Sequence, residues 1–149
     1  MSEPVEHAEL AELARTYFDR RTAVTVVSTV NSKGFPETAV LAATRFNGDG
    51  SVAGGEEEGA AGHTFRNLRQ NPVASLLVLD PITDPRSRDG VRVHVEFLGA
   101  ESDGEELQKL DSWLQGYAPG RRIVRRLLFK VLAIERYRSA AAVLTSDPS

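Results

Sequence analysis

The chain has 149 residues, 41% of them hydrophobic and 26% charged, with a formal net charge of −3, the length and balance of one soluble domain able to bury a core. It has no cysteine, which excludes disulfides, thiolate metal sites and cysteine nucleophiles together. The three histidines, His7, His63 and His94, are widely spaced and form no H-x-x-x-H pair, so no metal site is expected. No apolar run reaches membrane-spanning length, and the opening MSEPVEHAEL is acidic where a signal peptide is basic and then apolar, so no membrane is expected and the expected location is cytoplasmic.

Leu10, Leu13, Ala14, Tyr17 and Phe18 recur at helical spacing among Glu9, Glu12, Arg15 and Asp19, which predicts an amphipathic helix over residues 1–20. Residues 23–30 (AVTVVSTV) have the β-branched composition of a strand. The turn NSKGFP follows, with Gly34 free to take positive φ and Pro36 fixing the exit. Residues 37–46 (ETAVLAATRF) read as one second strand, whose Ala39, Ala42 and Ala43 leave space above the sheet for something flat. NGDG at 47–50 signals a hairpin into a short third strand at 51–54.

Gly54–Pro72 (GGEEEGAAGHTFRNLRQNP) reads as a glycine-rich loop feeding a short helix that Asn71-Pro72 stops. A loop that delivers free backbone N–H groups at a helix N-terminus suits a phosphate. It is also a common connector, and Glu56, Glu57 and Glu58 oppose an anion unless they are turned away or paired.

Residues 73–80 (VASLLVLD) are apolar almost throughout and predict a strand buried on both faces. Pro81–Gly90 is a polar loop. Val91, Val93, Val95 and Phe97 then alternate with Arg92, His94 and Glu96, a strand with one core face and one polar face, on which His94 is an exposed or hydrogen-bonded residue. Ser102 is positioned to cap a helix with Glu105 and Glu106 in its first turns and Leu107, Leu110, Leu114 and Tyr117 as its apolar stripe. Trp113 and Tyr117 are expected in helix packing or dimer contacts. Residues 127–137 read as a last long strand, and residues 139–149 as a tail. The arginines between Arg121 and Arg126 are expected to pair with acidic neighbours, since no aromatic–basic interleaving points to nucleic acid.

Successive antiparallel hairpins with few helices argue for a closed or half-closed barrel in a single domain, residues 1–149. Four stretches carry a resemblance in their order and spacing: TVNSKGFPETAVL (29–41), FNGDGSV (46–52), HTFRNLRQNPVASLLV (63–78) and GVRVHVEFLGAE (90–101). The chain resembles the pyridoxamine 5'-phosphate oxidase-like FMN-binding split-barrel proteins, a group that includes small FMN-binding proteins and deazaflavin-dependent reductases. That resemblance implies a mainly β (α+β) fold, a six-stranded antiparallel split β-barrel with flanking helices, and a homodimer with FMN at the subunit interface.

The same resemblance implies that the isoalloxazine ring lies against the backbone around Val40, Leu41 and Ala42 and around Ala53, Gly54 and Gly55. It implies His63 and Thr64 as first phosphate ligands, with Arg66 and Asn67 next, and Arg136 or Arg138 as candidates to approach the partner's cofactor. Many relatives carry a cation on the second strand and a lysine at the loop. Here Val40, Leu41 and Ala42 occupy the strand, His63 the loop, and Arg45 is the only cation on that strand.

The implied activity is oxidoreduction, by hydride or electron transfer to a small molecule. Flavin performs that chemistry itself, which agrees with the lack of any triad or acid–base pair and leaves no catalytic side chain to name. A deazaflavin-dependent reductase and a cofactor-free dimeric interaction module are the alternatives.

Overall fold

The computed structural model describes residues 3–47, 49–59, 62–83 and 89–138. In chain order the elements are α1 (Glu3–Phe18), β1 (Val24–Val30), β2 (Pro36–Leu41), β3 (Thr44–Phe46), β4 (Val52–Glu57), α2 (His63–Gln70), β5 (Val73–Leu79), β6 (Gly90–Glu101), α3 (Glu105–Gln115) and β7 (Ile123–Tyr137). The strands form one sheet in the order β2-β1-β5-β6-β7-β4-β3, antiparallel at every pairing.

The two edges of that sheet, β2 and β3, are neighbours in sequence, separated only by Ala42 and Ala43. The backbone N–H of Ala42 donates to the Gly55 carbonyl at 2.8 Å, and the Gly55 N–H donates to the Ala43 carbonyl at 2.9 Å. These bonds bring the end of β2 back against β4 and curl the sheet into a half-barrel. They also correct the strand count: there are seven strands, not six, because residues 37–46 are two strands broken at Ala42-Ala43. The break satisfies backbone groups through β4 and lets the chain pass from one sheet edge to the other.

The barrel interior follows from alternation. Val27, Leu76, Val78, Val91, Val93, Val95, Leu127 and Phe129 are fully buried, each worth roughly 1.5–3 kcal/mol of transfer free energy. Helix α1 closes the core with Ala14, Tyr17 and Phe18, and the Phe18 and Phe46 rings pack at 5.1 Å between centroids.

Strand β5 buries Ala74, Leu76 and Val78, while Val73 is exposed and Leu77 and Leu79 are half-buried. It is therefore covered on one face only, unlike the two-sided burial expected of its apolar run. A second, smaller cluster places Leu110 and Leu114 of α3 against Ala42, Ala43 and Ile123. What lies above those alanines is α3. That helix starts at Glu105 after Gly104, with no side-chain cap, so Ser102 does not serve as one; its apolar stripe is Leu107, Leu110 and Leu114, and Tyr117 lies past its end.

Two more boundaries differ from the sequence reading. Strand β4 runs on to Glu57, so Gly54 and Gly55 are strand residues and not loop. Strand β7 begins at Ile123, four residues before the apolar run, because Glu56 and Glu57 on β4 pair with Arg125 and Arg121. Arg126 is likewise paired, with Glu101 at 2.9 Å, so the expected arginine–acid pairing holds at three positions. The NSKGFP turn forms as expected: Gly34 has φ 84°, and the Asn31 side-chain oxygen accepts the N–H groups of Lys33 and Phe35 at 2.9 and 3.0 Å. The tail at 139–149, part of the polar loop at 84–88 and Gly48 of the NGDG turn lie outside the described residues.

Candidate functional site

Helix α2 begins where Gly62 takes a left-handed conformation, φ 74° and ψ 10°, which glycine adopts without a Cβ penalty. No acidic residue occupies its first turn. Its inner side is fixed by Asn67, a buried residue whose amide donates to Thr29 Oγ1 at 3.0 Å and to Glu37 Oε1 at 2.6 Å. Those bonds pin α2 to β1 and to the edge strand β2, and the bond from Asn67 is the main reason the Glu37 carboxyl sits below its ordinary range.

Between β2, the end of β4 and the start of α2 lies a groove of about 510 Å³, lined by residues 38–41, 56–59 and 62–64. That volume is within the roughly 300–1,000 Å³ of small-molecule sites. Two of the three glutamates of its wall are paired with arginines. Glu56 is buried and accepts from Arg125 at 2.8 Å. Glu57 takes both Nε and Nη2 of Arg121, at 2.6 and 2.5 Å, and this bidentate contact holds its carboxyl below the usual range. Glu58 is exposed.

Of the residues expected to hold the cofactor, the structure brings Val40, Leu41, His63 and Thr64 together on this groove. Val40 is 62% exposed, whereas Leu41 and Thr64 are buried, at 4% and 7% exposure. The others lie elsewhere. Ala42 is packed under α3. Ala53 lines a separate cleft of about 270 Å³ with Arg45, Trp113 and Arg126.

Gly54 and Gly55 give space to side chains: an added Cβ would lie 2.6 Å from Leu41 Cδ1 at Gly54 and 2.7 Å from Ile123 Cδ1 at Gly55. Arg66 lines a basin on the other flank of α2, and Asn67 spends its amide on Thr29 and Glu37. Arg45 stacks over Trp113 at 4.6 Å and pairs with Asp19 at 3.4 Å.

His94 is a hydrogen-bonded strand residue, between Ser75 Oγ at 2.8 Å and Glu135 Oε1 at 3.0 Å. Trp113 and Tyr117 meet edge to face at 5.0 Å, and the Tyr117 hydroxyl donates to the Ala42 carbonyl at 3.1 Å. The residues that sequence reasoning did not attach to the site are Arg121, just before β7, and Arg125, on β7, which reach the groove's glutamates. Their partners are 64 and 69 positions away, and only the excess of arginine opposite an unexplained acidic run hinted at them.

No family model matches the chain, and no curated protein matches it. Among solved structures, an FMN-binding protein from Syntrophomonas wolfei subsp. wolfei superposes with a TM-score of 0.75 at 25% identity, over 90% of each chain. An F420 reductase matches with a TM-score of 0.59 at 18% identity, over 83% of this chain and 94% of the other. HutZ, a heme storage protein from Vibrio cholerae, matches with a TM-score of 0.56 at 16% identity, over 83% and 90%. Pyridoxamine 5'-phosphate oxidase-like proteins are further matches. The resemblance read from the sequence is therefore met in three dimensions: the chain has the half-barrel fold of the pyridoxamine 5'-phosphate oxidase-like FMN-binding split-barrel proteins.

Proposed function

We propose that this chain is an FMN-binding flavoprotein that performs oxidoreduction on a small molecule, working as a cytoplasmic homodimer. The observation that carries the reading is the groove at the start of α2, in a fold whose 25%-identical neighbour is an FMN-binding protein. The residues present fit the group. The first N–H groups of a helix lack intrahelical partners and carry the positive end of its dipole, Thr64 adds a hydroxyl, and His63 adds a ring N–H.

His63 and Thr64 would hold the phosphate, and Val40 and Leu41 would flank the ring. Gly54 and Gly55 act behind them by letting Leu41 and Ile123 pack. Bound FMN would supply the hydride or electron transfer, so the protein's part is to bind, orient and exclude water. A deazaflavin coenzyme is the second reading, favoured by the F420 reductase neighbour and by the pairing of Glu56 and Glu57, which offsets two of the three charges that opposed an anionic ligand.

The test is a flavin titration of the His63→Ala/Thr64→Ala variant. Affinity for FMN is expected to fall by ~1–3 kcal/mol, the scale of lost hydrogen bonds to a charged group. An unchanged titration would remove the helix start from the site. Sedimentation at twice the chain mass, with flavin lost from a dissociated variant, is the expectation for the interface; a monomer that retains FMN contradicts it.

A further inference from the structure

Beyond Gly62, on the opposite flank of α2 from the groove, lies a basin of about 450 Å³ lined by Gly62, Phe65, Arg66, Arg69, Gln70 and Arg125. Gly62 lines the groove as well, so the two depressions meet at the helix start. Half of the basin's lining is arginine and none of it is acidic. The cause lies in the helix repeat: Arg66 and Arg69 are three apart and Phe65 and Arg69 four apart, spacings that share one flank. Strand β7 supplies Arg125 from the other side. The guanidinium carbons of Arg125 and Arg69 stand 4.1 and 5.6 Å from the centre of the Phe65 ring, which forms an aromatic surface between them.

Arg125 gives Nη1 to Glu56 at 2.8 Å, and a guanidinium has further N–H donors to offer. Among the described residues, neither Arg66 nor Arg69 forms an ion pair with a carboxylate. Glu56 answers the Arg125 charge and Arg66 lies near enough to Glu37 to lower its pKa, yet the guanidinium groups lining the basin leave it net positive, and planar guanidinium forks match phosphate and carboxylate oxygens in geometry.

We propose that this basin is a second anion subsite, which takes a phosphate or carboxylate carried beyond the phosphate at the helix start, so that the chain accepts flavin coenzymes extended past the mononucleotide. The identity of the extended ligand rests on the flavin reading of the groove; the basin's affinity for anions does not.

The experiment titrates FMN, FAD and inorganic tripolyphosphate into the full chain and into Arg66→Gln/Arg69→Gln at low ionic strength, by calorimetry and by flavin fluorescence. FAD is expected to bind the unmodified chain about tenfold tighter than FMN, a preference the double variant loses, and tripolyphosphate affinity is expected to fall about tenfold or more in that variant. Equal or tighter binding of FMN, or a preference for FAD that survives the double substitution, overturns the extended-coenzyme proposal. If neither flavin binds, the flavin reading of the groove falls together with the extended coenzyme. Tripolyphosphate then decides the basin alone: binding that the variant loses upholds the anion subsite, and no binding, or binding the variant keeps, overturns it.

Discussion

The Asn67 side-chain amide donates to the Glu37 carboxylate at 2.6 Å, and this contact, with its companion bond to Thr29, fixes α2 to the edge strand that forms the groove's other wall. Asn67→Ala leaves the buried Thr29 hydroxyl and the Glu37 carboxylate without this donor. It is expected to cost about 1.5–3 kcal/mol of stability, the range for a lost buried bond involving a charged partner. Urea unfolding measures it, and a midpoint unchanged from the unmodified chain would mean the amide does not anchor the helix.

Acid sensitivity should follow from Asp80. Its carboxylate is buried, accepts from Arg20 Nη1 at 3.3 Å and from the Thr83 N–H at 3.1 Å. Burial pushes its pKa up, but the hydrogen bonds from Thr22 and Thr83 and the Arg20 charge outweigh that and hold it below the ordinary value. A carboxyl depressed in the folded state contributes stability that is complete above its unfolded pKa of about 3.9 and is lost as pH falls through the folded value. Thermal unfolding from about pH 6 down to about pH 2, roughly two pH units on either side of the unfolded pKa, should show a smaller acid-induced drop in Asp80→Asn than in the unmodified chain. Asp80→Asn should also be less stable at neutral pH, by about 1–3 kcal/mol. Parallel acid profiles would contradict this role.

Gly54 and Leu41 are coupled by space. A methyl group at Gly54 would lie 2.6 Å from Leu41 Cδ1, so Gly54→Ala forces Leu41, a lining residue of the groove, off its position. The expected cost is about 1–3 kcal/mol, as for overpacking elsewhere. Gly54→Ala/Leu41→Ala should recover part of the clash while opening a cavity. Strict additivity of the two single substitutions in unfolding free energy would show that they do not interact.

Gly99 provides the contrast: nothing lies within 4 Å of a Cβ added there. Gly99→Ala should therefore change stability by no more than about 0.5 kcal/mol. A large loss in equilibrium unfolding would mean that space does not set the cost of glycine substitution in this barrel.

Much of the fold was legible because strand residues announce their faces. In β6, Val91, Val93 and Val95 are buried and Arg92, His94 and Glu96 are not, as their alternation requires. The break between β2 and β3 was hidden, since Leu41, Ala42, Ala43 and Thr44 read as one continuous strand. What divides them is a pair of backbone bonds to Gly55 of β4, a long-range event with no local mark. The start of β7 was hidden for a related reason. Arg121, Arg122, Arg125 and Arg126 look like a charged turn until Glu57, Glu56 and Glu101 are placed opposite them.

The groove's lining was legible at His63 and Thr64, where a glycine loop meets a helix start, while Val40 and Leu41, which line it too, came from the family resemblance. Asn67 and Arg66 could not be separated from that pair by spacing, because one helical turn carries Thr64 and Asn67 inward and Arg66 outward.

The most direct measurement is a titration of the purified full chain with FMN, followed by absorbance and quenching of flavin fluorescence, beside a spectrum of the protein as isolated. Flavin binding predicts bands near ~370 and ~450 nm in the protein fraction and saturable quenching with one flavin per chain. A colourless protein that leaves FMN fluorescence unquenched throughout the titration would contradict it.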